Sequence, residues 1–233
     1  MDAVRDNWRD VLYAFGLTVE ISVLAGVIAL VLGFLLGALR VSPVPVGRAV
    51  AAVYVRLVRN TPLLLIMLIT TFTLPVLGLR PDINLNDWFG IDSHNRMLNL
   101  NFFVLCATGA LGLYTAAFVC EAVRSGINSI PIGQAEAARS IGMTFGQTLR
   151  LVVLPQAYRA VIPPLTSTMI AMTKNSSVAV GVGVTDATFQ MRKLNNDNGD
   201  QILQIFVTFA IGYMILVFLI SAVGSLLERR AAA

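Results

Sequence analysis

The sequence GQAEAARSIGMTFGQTLRLVVLPQA, Gly133 to Ala157, is a mostly polar, helix-prone stretch between two apolar runs. Each of those runs is long enough to cross a membrane, because about 20 apolar residues span the hydrocarbon core as a helix. The composition agrees with a membrane protein, since 56% of the 233 residues are hydrophobic and 13% are charged. Soluble domains carry about 25% charged residues. The polar stretch is therefore a loop that connects two membrane spans.

The apolar runs on both sides of this loop predict an all-α membrane protein with five transmembrane helices in a single domain, residues 1–233. The first run carries Gly33 and Gly37, a small-residue spacing that lets two helices approach closely. Pro75 is expected to kink the second run. A polar connector, residues 185–201, precedes the last run. The predicted spans are residues 11–39, 61–79, 100–123, 161–184 and 202–227, and the central loop extends over residues 124–160.

The basic residues of the loops predict the orientation of these spans, because cytoplasmic loops of membrane proteins carry an excess of Lys and Arg. The side that includes the central loop holds ten basic residues, and the other side holds six. We therefore expect the N-terminus outside and both the central loop and the C-terminus in the cytoplasm. The ten are Arg40, Arg48, Arg56, Arg59, Arg124, Arg139, Arg150, Arg159, Arg229 and Arg230, and the six are Arg5, Arg9, Arg80, Arg96, Arg192 and Lys193.

The central loop has the sequence features of two short helices joined by a bend. Residues 135–141 are strong helix formers, and Gly142 interrupts them. Thr144 and Gln147 then have the spacing of a capping box, and Pro155 is expected to end the second helix. Such a loop either lies on the lipid headgroups as a helical hairpin or docks as a rigid element into a groove of a cytoplasmic partner.

Four elements of this loop match a known signature in their spacing. Glu136-Ala137-Ala138 is followed after three residues by Gly142 and, after nine more, by the sequence VVLP that starts at Val152. This pattern resembles the EAA motif of ATP-binding-cassette importer permeases, in which isoleucine stands where this chain has Val152. The segments RNTPLL from Arg59 and KNSS from Lys174 resemble the polar amino-acid uptake family of those permeases, and most closely the glutamate permease subunits of actinobacteria.

The resemblance implies a fold, a function and a set of partners. The fold is that of the type I ABC importer (MetI-like) permeases. The function is that of the transmembrane permease subunit of an ATP-driven importer, for glutamate or a related polar amino acid, in the bacterial plasma membrane. The implied partners are a second permease subunit, identical or paralogous, a cytoplasmic ATP-binding-cassette ATPase dimer and an extracytoplasmic amino-acid-binding protein. The residues expected to couple the loop to the ATPase are Gln134, Glu136, Ala137, Ala138 and Gly142.

The chain's own residues agree with such a division between subunits. It has no G-x4-G-K-[ST] nucleotide-binding motif, so ATP hydrolysis is expected on a separate chain and the protein itself is not expected to be an enzyme. No catalytic set, metal site or cofactor site is predicted. The basic residues are scattered between apolar runs, which argues against a nucleic-acid-binding stripe. Five spans without an internal inverted repeat are few for a complete transporter, so a dimer is expected.

The fourth predicted span is the best candidate for the substrate path. Thr173, Lys174, Asn175 and Ser176 lie near its middle, and a helix this polar must face protein or water on at least one side. Lys174 is either a counter-ion for an acidic substrate or a structural cation paired with a backbone carbonyl or an acidic side chain. Thr70 in the second span is a weaker candidate, because its hydroxyl can bond to its own helix instead.

Two further features are expected to shape the ends of the spans. Glu121 and Arg124 lie three residues apart at the inner end of the third span and can pair on one helix face. Pro163 and Pro164 are expected to mark the start of the fourth span. The alternative function is a secondary transporter or channel subunit that works without an ATPase. The sequence leaves open which amino acid is carried and whether the dimer is formed by identical subunits.

Overall fold

The computed structural model describes residues 2–78 and 101–232, and every regular element within these residues is helical. The predicted connection between the second and third spans, residues 80–99, lies outside the described residues. The helices are α1 (Asp2–Asp6), α2 (Trp8–Val41), α3 (Pro45–Arg59), α4 (Leu63–Leu68), α5 (Leu74–Val76), α6 (Phe102–Asn128), α7 (Ile132–Ser140), α8 (Phe145–Thr148), α9 (Leu154–Asn175), α10 (Ala187–Asp197) and α11 (Ile202–Ala232), with π-helical turns at Ile69–Thr73 and Leu149–Val153 and a 3₁₀ helix at Ser176–Val182.

Three of these helices, α2, α6 and α11, are long and apolar enough to cross a membrane. A fourth crossing is added if α3 and the α4–α5 segment count as one span, although they are bent by 102°. Helix α9 has 22 residues, which is long enough, but it is too polar to meet the same criterion. The all-α membrane architecture is therefore confirmed for the described residues, and the count of five spans and their orientation stay predictions.

Helices α2 and α6 form the tightest contact of the fold, and glycine makes it possible. A Cβ added to Gly37 would lie 2.8 Å from Val123 Cγ1, and one added to Gly112 would lie 2.8 Å from Ile28 Cβ. A Cβ on Gly33 would overlap Val119. Because these glycines have no side chain, a Val or Ile side chain of the facing helix packs directly against the glycine backbone, and the two helices approach closely. The close approach predicted from the spacing of Gly33 and Gly37 is confirmed.

One continuous helical run extends from Phe145 to Val182, through α8, a π turn, α9 and the 3₁₀ helix. We call it the coupling run. The prediction that Pro155 ends a helix is wrong, because Pro155 lies in α9 directly after the π turn Leu149–Val153. A proline ring collides with the carbonyl four residues earlier, and a wider π turn relieves that crowding. The π turn Ile69–Thr73 stands in the same relation to Pro75.

Pro163 and Pro164 do not mark the start of a helix either, because both lie inside α9. Packing on both sides holds the helix through this point. Val161 fills the space above Gly126 of α6, and Thr166 fills the space above Gly224 of α11. Tertiary packing of this kind routinely overrides the local preference of a residue for ending a helix.

The polar connector before the last span contains a helix that the sequence interpretation missed. Helix α10 begins after Asp186, whose carboxylate Oδ1 accepts a hydrogen bond from the Phe189 backbone N–H at 3.0 Å. The Ala187 N–H donates to the Thr18 hydroxyl of α2 at 3.1 Å. Since Asp186 is fully buried, the N-cap works as part of the core, where α10 packs against α2 and α11.

Candidate functional site

Gly142 ends helix α7 in a backbone conformation that glycine alone adopts readily. Its φ is +90°, in the left-handed region where a Cβ is costly. The Gly142 N–H donates to the Arg139 carbonyl at 3.0 Å, and the Met143 N–H donates to the Ala138 carbonyl at 3.2 Å. These two bonds form a Schellman motif, which satisfies carbonyls that the helix end would otherwise leave free. The glycine bend predicted from the sequence is therefore the C-terminal cap of helix α7.

Helix α7 presents most of its predicted coupling residues to the outside. Gln134, Glu136 and Ala137 are exposed, whereas Ala138 is buried. The Ser140 hydroxyl donates to the Glu136 carbonyl at 2.9 Å, which reinforces the last turn. The arrangement places one carboxylate and one small residue on an open face, with a second small residue packed beneath it.

The second short helix of the loop is fixed by the capping box that the sequence predicts. The Thr144 N–H donates to Gln147 Oε1 at 2.8 Å, and the Gln147 N–H donates to Thr144 Oγ1 at 3.3 Å. Large apolar side chains of the loop are nevertheless exposed, among them Ile141 at 77% and Phe145 at 62%. A well-ordered element with exposed apolar groups is typical of a protein-contact surface.

A side-chain bond joins the two parts of the loop. Gln156 of α9 donates through Nε2 to Gln134 Oε1 of α7, and the same nitrogen donates to the Val152 carbonyl at 2.9 Å. This bond connects the start of α7 to the coupling run. A displacement of α7 is therefore passed to α9 through a side-chain contact as well as through the connecting backbone.

The polar residues at the far end of the coupling run separate into two groups. Thr173 and Ser176 are buried, and their hydroxyls donate to carbonyls of their own helix, those of Met169 at 3.1 Å and Thr173 at 2.7 Å. Lys174 is exposed, and no acidic side chain in residues 2–78 or 101–232 forms an ion pair with it. Both interpretations of Lys174, counter-ion and structural cation, stay predictions.

Asn175 is the member of this set that lines the cavity between α6 and α9, whereas Thr173 lines a separate, apolar cavity between α2, α9 and α11. The cavity beside Asn175 has a volume of about 290 Å³. Thr70 is placed elsewhere, in the π turn before Pro75, where its hydroxyl donates to the Ile66 and Met67 carbonyls at 3.1 and 3.0 Å. The polar and aromatic residues that line the cavity are Tyr114, Thr115, Phe118, Ser167, Thr168 and Asn175.

Sequence reasoning missed the α6 side of this cavity. Tyr114 and Thr115 lie in a span whose overall pattern is apolar, so neither stands out by composition. The available signal was a hydroxyl-bearing pair in the middle of an apolar run, together with Phe118 four residues after Tyr114. A volume of about 290 Å³ with polar groups on two walls is suited to a small polar molecule.

Residues 29–233 of the chain match the family described as "Binding-protein-dependent transport system inner membrane component". The chain belongs to this family. The permease is therefore a transport subunit and a multi-pass protein of the cell membrane. The expectation that it is an importer permease of the ATP-binding-cassette class, drawn from the spacing of the loop motif, is confirmed.

Two relatives cover nearly the whole permease. It is 39% identical over 230 residues to the glutamate transport system permease protein GluC of Corynebacterium glutamicum. The alignment covers 96% of this chain and 97% of the relative. It is 37% identical over 216 residues to the glutamate/aspartate import permease protein GltJ of Escherichia coli K12. The alignment covers 93% of this chain and 85% of the relative.

Two solved structures share the fold. One is an amino acid ABC transporter crystallised with histidines, with a TM-score of 0.80 at 26% identity, covering 97% of this chain and 96% of that chain. The other is an inward-facing MetNI methionine ABC transporter, with a TM-score of 0.71 at 21% identity, covering 97% and 98%. The second likeness concerns the fold alone. Together they identify the fold as that of the ABC importer permeases, in agreement with the sequence interpretation.

Proposed function

We propose that this permease forms the membrane path of an ATP-driven importer for glutamate or a related polar amino acid. It acts with a second permease subunit, a separate ATP-binding-cassette ATPase dimer in the cytoplasm and an extracytoplasmic amino-acid-binding protein. Its single domain crosses the membrane five times, with the N-terminus outside and the C-terminus in the cytoplasm. The similarity to glutamate permeases along nearly the whole chain supports the substrate class.

The coupling role of the loop is supported above all by its combination of order and exposure. A helix that carries Glu136 on an open face is fixed at its end by Gly142 and at its start by the bond between Gln134 and Gln156. In this proposal α7 sits in a groove of the ATPase. ATP-driven movement of the ATPase displaces α7, and the coupling run carries the displacement to the cavity beside Asn175.

The substrate path is proposed to pass the cavity between α6 and α9. Asn175 provides an amide there, and Tyr114, Thr115 and Ser167 provide hydroxyls, while the hydroxyl of the fourth such lining residue, Thr168, donates to the Pro164 carbonyl at 2.8 Å. These groups can replace water around a zwitterionic amino acid. Thr173, Ser176 and Thr70 are proposed to shape the path from behind, since their hydroxyls bond to their own helices, and Lys174 lies beside it.

The coupling role is tested by reversing the charge of the exposed carboxylate. We expect Glu136→Lys to reduce uptake of radiolabelled glutamate by roughly tenfold or more, because like-charge contacts in an interface cost several kcal/mol. The ATPase should move from the membrane to the soluble fraction, while the amount of permease in the membrane stays unchanged. Competition by aspartate, glutamine and arginine in the wild type defines the substrate class.

Glu228→Lys is the matched control, because it makes the same charge reversal near the C-terminal end of α11, away from the loop. This variant should keep wild-type uptake and wild-type ATPase retention. Full retention of the ATPase and normal uptake in Glu136→Lys would contradict the coupling role. Uptake that survives ATP depletion but stops with an uncoupler would contradict the ATP-driven mechanism.

A further inference from the structure

A second cavity, of about 400 Å³, lies where the C-terminal part of α2, the helix α3 and α6 meet. Arg40 comes from α2, Arg56 and Arg59 come from α3, and Phe118 and Glu121 come from α6. It is separate in chemistry from the cavity beside Asn175, because its polar lining is mostly guanidinium groups. The function proposed above does not use it.

The charges in and around this cavity do not balance. Glu121 pairs with Arg40 at 3.1 Å, with Arg124 at 2.8 Å and more distantly with Arg59 at 4.0 Å, so the predicted bond between Glu121 and Arg124 is confirmed as part of a larger cluster. Arg56 lines the same cavity and forms no ion pair within the described parts of the chain. Four arginines and one glutamate give this cluster a net charge of +3.

The positive charge in excess of Glu121 is at the open side of the cavity. The side chains of Arg40 and Glu121 are each only 19% exposed and compensate each other. Arg56 and Arg59 are exposed, and the Arg59 guanidinium lies over the Phe118 ring at 5.3 Å. The cavity is therefore complementary to an additional anion, and guanidinium groups favour phosphate or carboxylate oxygens.

The surroundings of the cavity point to the source of that anion. Helix α3, which supplies Arg56, also carries Val46, Val50, Val53 and Leu57, each exposed by more than half. These four residues recur at helical spacing and form an apolar edge beside the arginines. An amphipathic helix with basic residues next to an apolar edge is suited to the boundary between headgroups and acyl chains. A soluble anion has no apolar part that could pack against this edge.

We infer that the cavity formed by Arg40, Arg56 and Arg59 binds the headgroup of an anionic phospholipid of the inner leaflet, with the acyl chains along the apolar edge of α3. Basic pockets between transmembrane helices on the cytoplasmic side are suited to anionic headgroups. The assignment to the inner leaflet depends on the orientation given in the proposed function. The location of the binding site in the protein does not depend on it. Labelling of a Ser140→Cys variant from the cytoplasmic side only would test that orientation separately.

Arg56 is the position to change, because it is exposed and its substitution leaves no acidic partner unpaired within residues 2–78 and 101–232. We would purify the permease with its ATPase and count retained phosphatidylglycerol and phosphatidylcholine by native mass spectrometry across a lipid titration. The wild type should retain phosphatidylglycerol in preference to phosphatidylcholine. Arg56→Gln should bind phosphatidylglycerol about fivefold more weakly, the effect of about one basic residue near an anionic surface, and Arg56→Lys should recover most of it.

Arg48→Gln is the matched control, since Arg48 lies on the same helix and is exposed but does not line the cavity. Equal weakening by Arg48→Gln and Arg56→Gln, or equal retention of both lipids, would overturn the assignment in favour of general surface attraction. Displacement of the lipid by inorganic phosphate or by glutamate would overturn it in favour of a site for soluble anions. Glu136→Lys, which is purified without the ATPase, should lose uptake in cells yet retain phosphatidylglycerol as the wild-type permease purified in the same way does, which separates this inference from the coupling role.

Discussion

The polar side chains at the two ends of the coupling run differ in their exposure and in their hydrogen-bond partners. At the N-terminal end, Thr144 and Gln147 use their side chains to cap a helix, while Phe145 stays exposed. At the membrane end, Thr173 and Ser176 are buried and bond to their own backbone. The first end is ordered but open, as expected for a surface that meets another protein. The second end keeps its hydroxyls bonded to its own helix, and of its four polar residues Asn175 lines the cavity between α6 and α9.

This difference fits the two tasks that the proposed function gives to the coupling run. Contact with a partner requires side chains that are exposed and held in place before the partner arrives, which lowers the entropic cost of binding. A path through the membrane requires few unpaired polar groups, because each one costs free energy in an apolar environment. The π turn at Leu149–Val153 lies between the two ends, so it is the natural place for the run to bend when α7 is displaced.

The largest effect is expected from a substitution of Gly142, the glycine that caps α7. Gly142→Ala must adopt a φ of +90°, which costs about 1–2 kcal/mol. We expect the loop to lose its shape, with release of ATPase from membranes and a loss of uptake of roughly tenfold. Gly142→Asp should be as severe or worse. Uptake and ATPase sedimentation are the measurements.

Gly146→Ala provides the control for this prediction. Gly146 lies in α8, four residues further on, with no positive φ and no atom near an added Cβ. Alanine there should be neutral or slightly stabilising, because it raises helix propensity by up to about 1 kcal/mol. Similar losses in the two variants would show that the loop tolerates no change of side chain, and would remove the Schellman cap as the explanation.

The C-terminal end of the coupling run is tested by comparing two residues. Asn175 lines the cavity between α6 and α9, and Thr173 does not line that cavity. Asn175→Leu should weaken uptake by about fivefold at low substrate concentration, since a lost hydrogen bond is worth about 1 kcal/mol. Thr173→Val should change uptake by less than about twofold, because its hydroxyl is committed to the Met169 carbonyl. The concentration dependence of uptake is measured for both. A larger effect in Thr173→Val would exclude the cavity as the path.

The parts of this structure that could be predicted from sequence are those fixed by local chemistry. The glycine bend at Gly142 and the capping box of Thr144 and Gln147 depend on backbone geometry within a few residues. The resemblance of the EAA spacing to a known signature adds the expected role of that geometry. The pairing of Glu121 with Arg124 depends on helical spacing alone.

The parts that could not be predicted depend on contacts between distant elements. Pro155 and Pro163 stay within a helix because a π turn and packing against α6 and α11 support it. Helix α10 depends on Asp186 and Thr18, residues far apart in sequence, to satisfy its first N–H groups. The cavity beside Asn175 has one wall from α6, and an apolar span gives no local sign that its hydroxyl groups face another helix.

The smallest expected effect concerns the bond between Gln134 and Gln156, which joins the open end of the coupling run to α7. Removing it with Gln156→Leu should lower ATPase retention by no more than about fivefold, since one exposed hydrogen bond contributes about 1 kcal/mol or less. Gln134→Leu measures the same bond together with any direct contact between Gln134 and the ATPase. If Gln134 acts only through Gln156, the double variant should be no worse than either single variant. Additive losses would instead make Gln134 a residue that touches the ATPase itself, and the order of the open end would then depend on Gly142 and Thr144 alone.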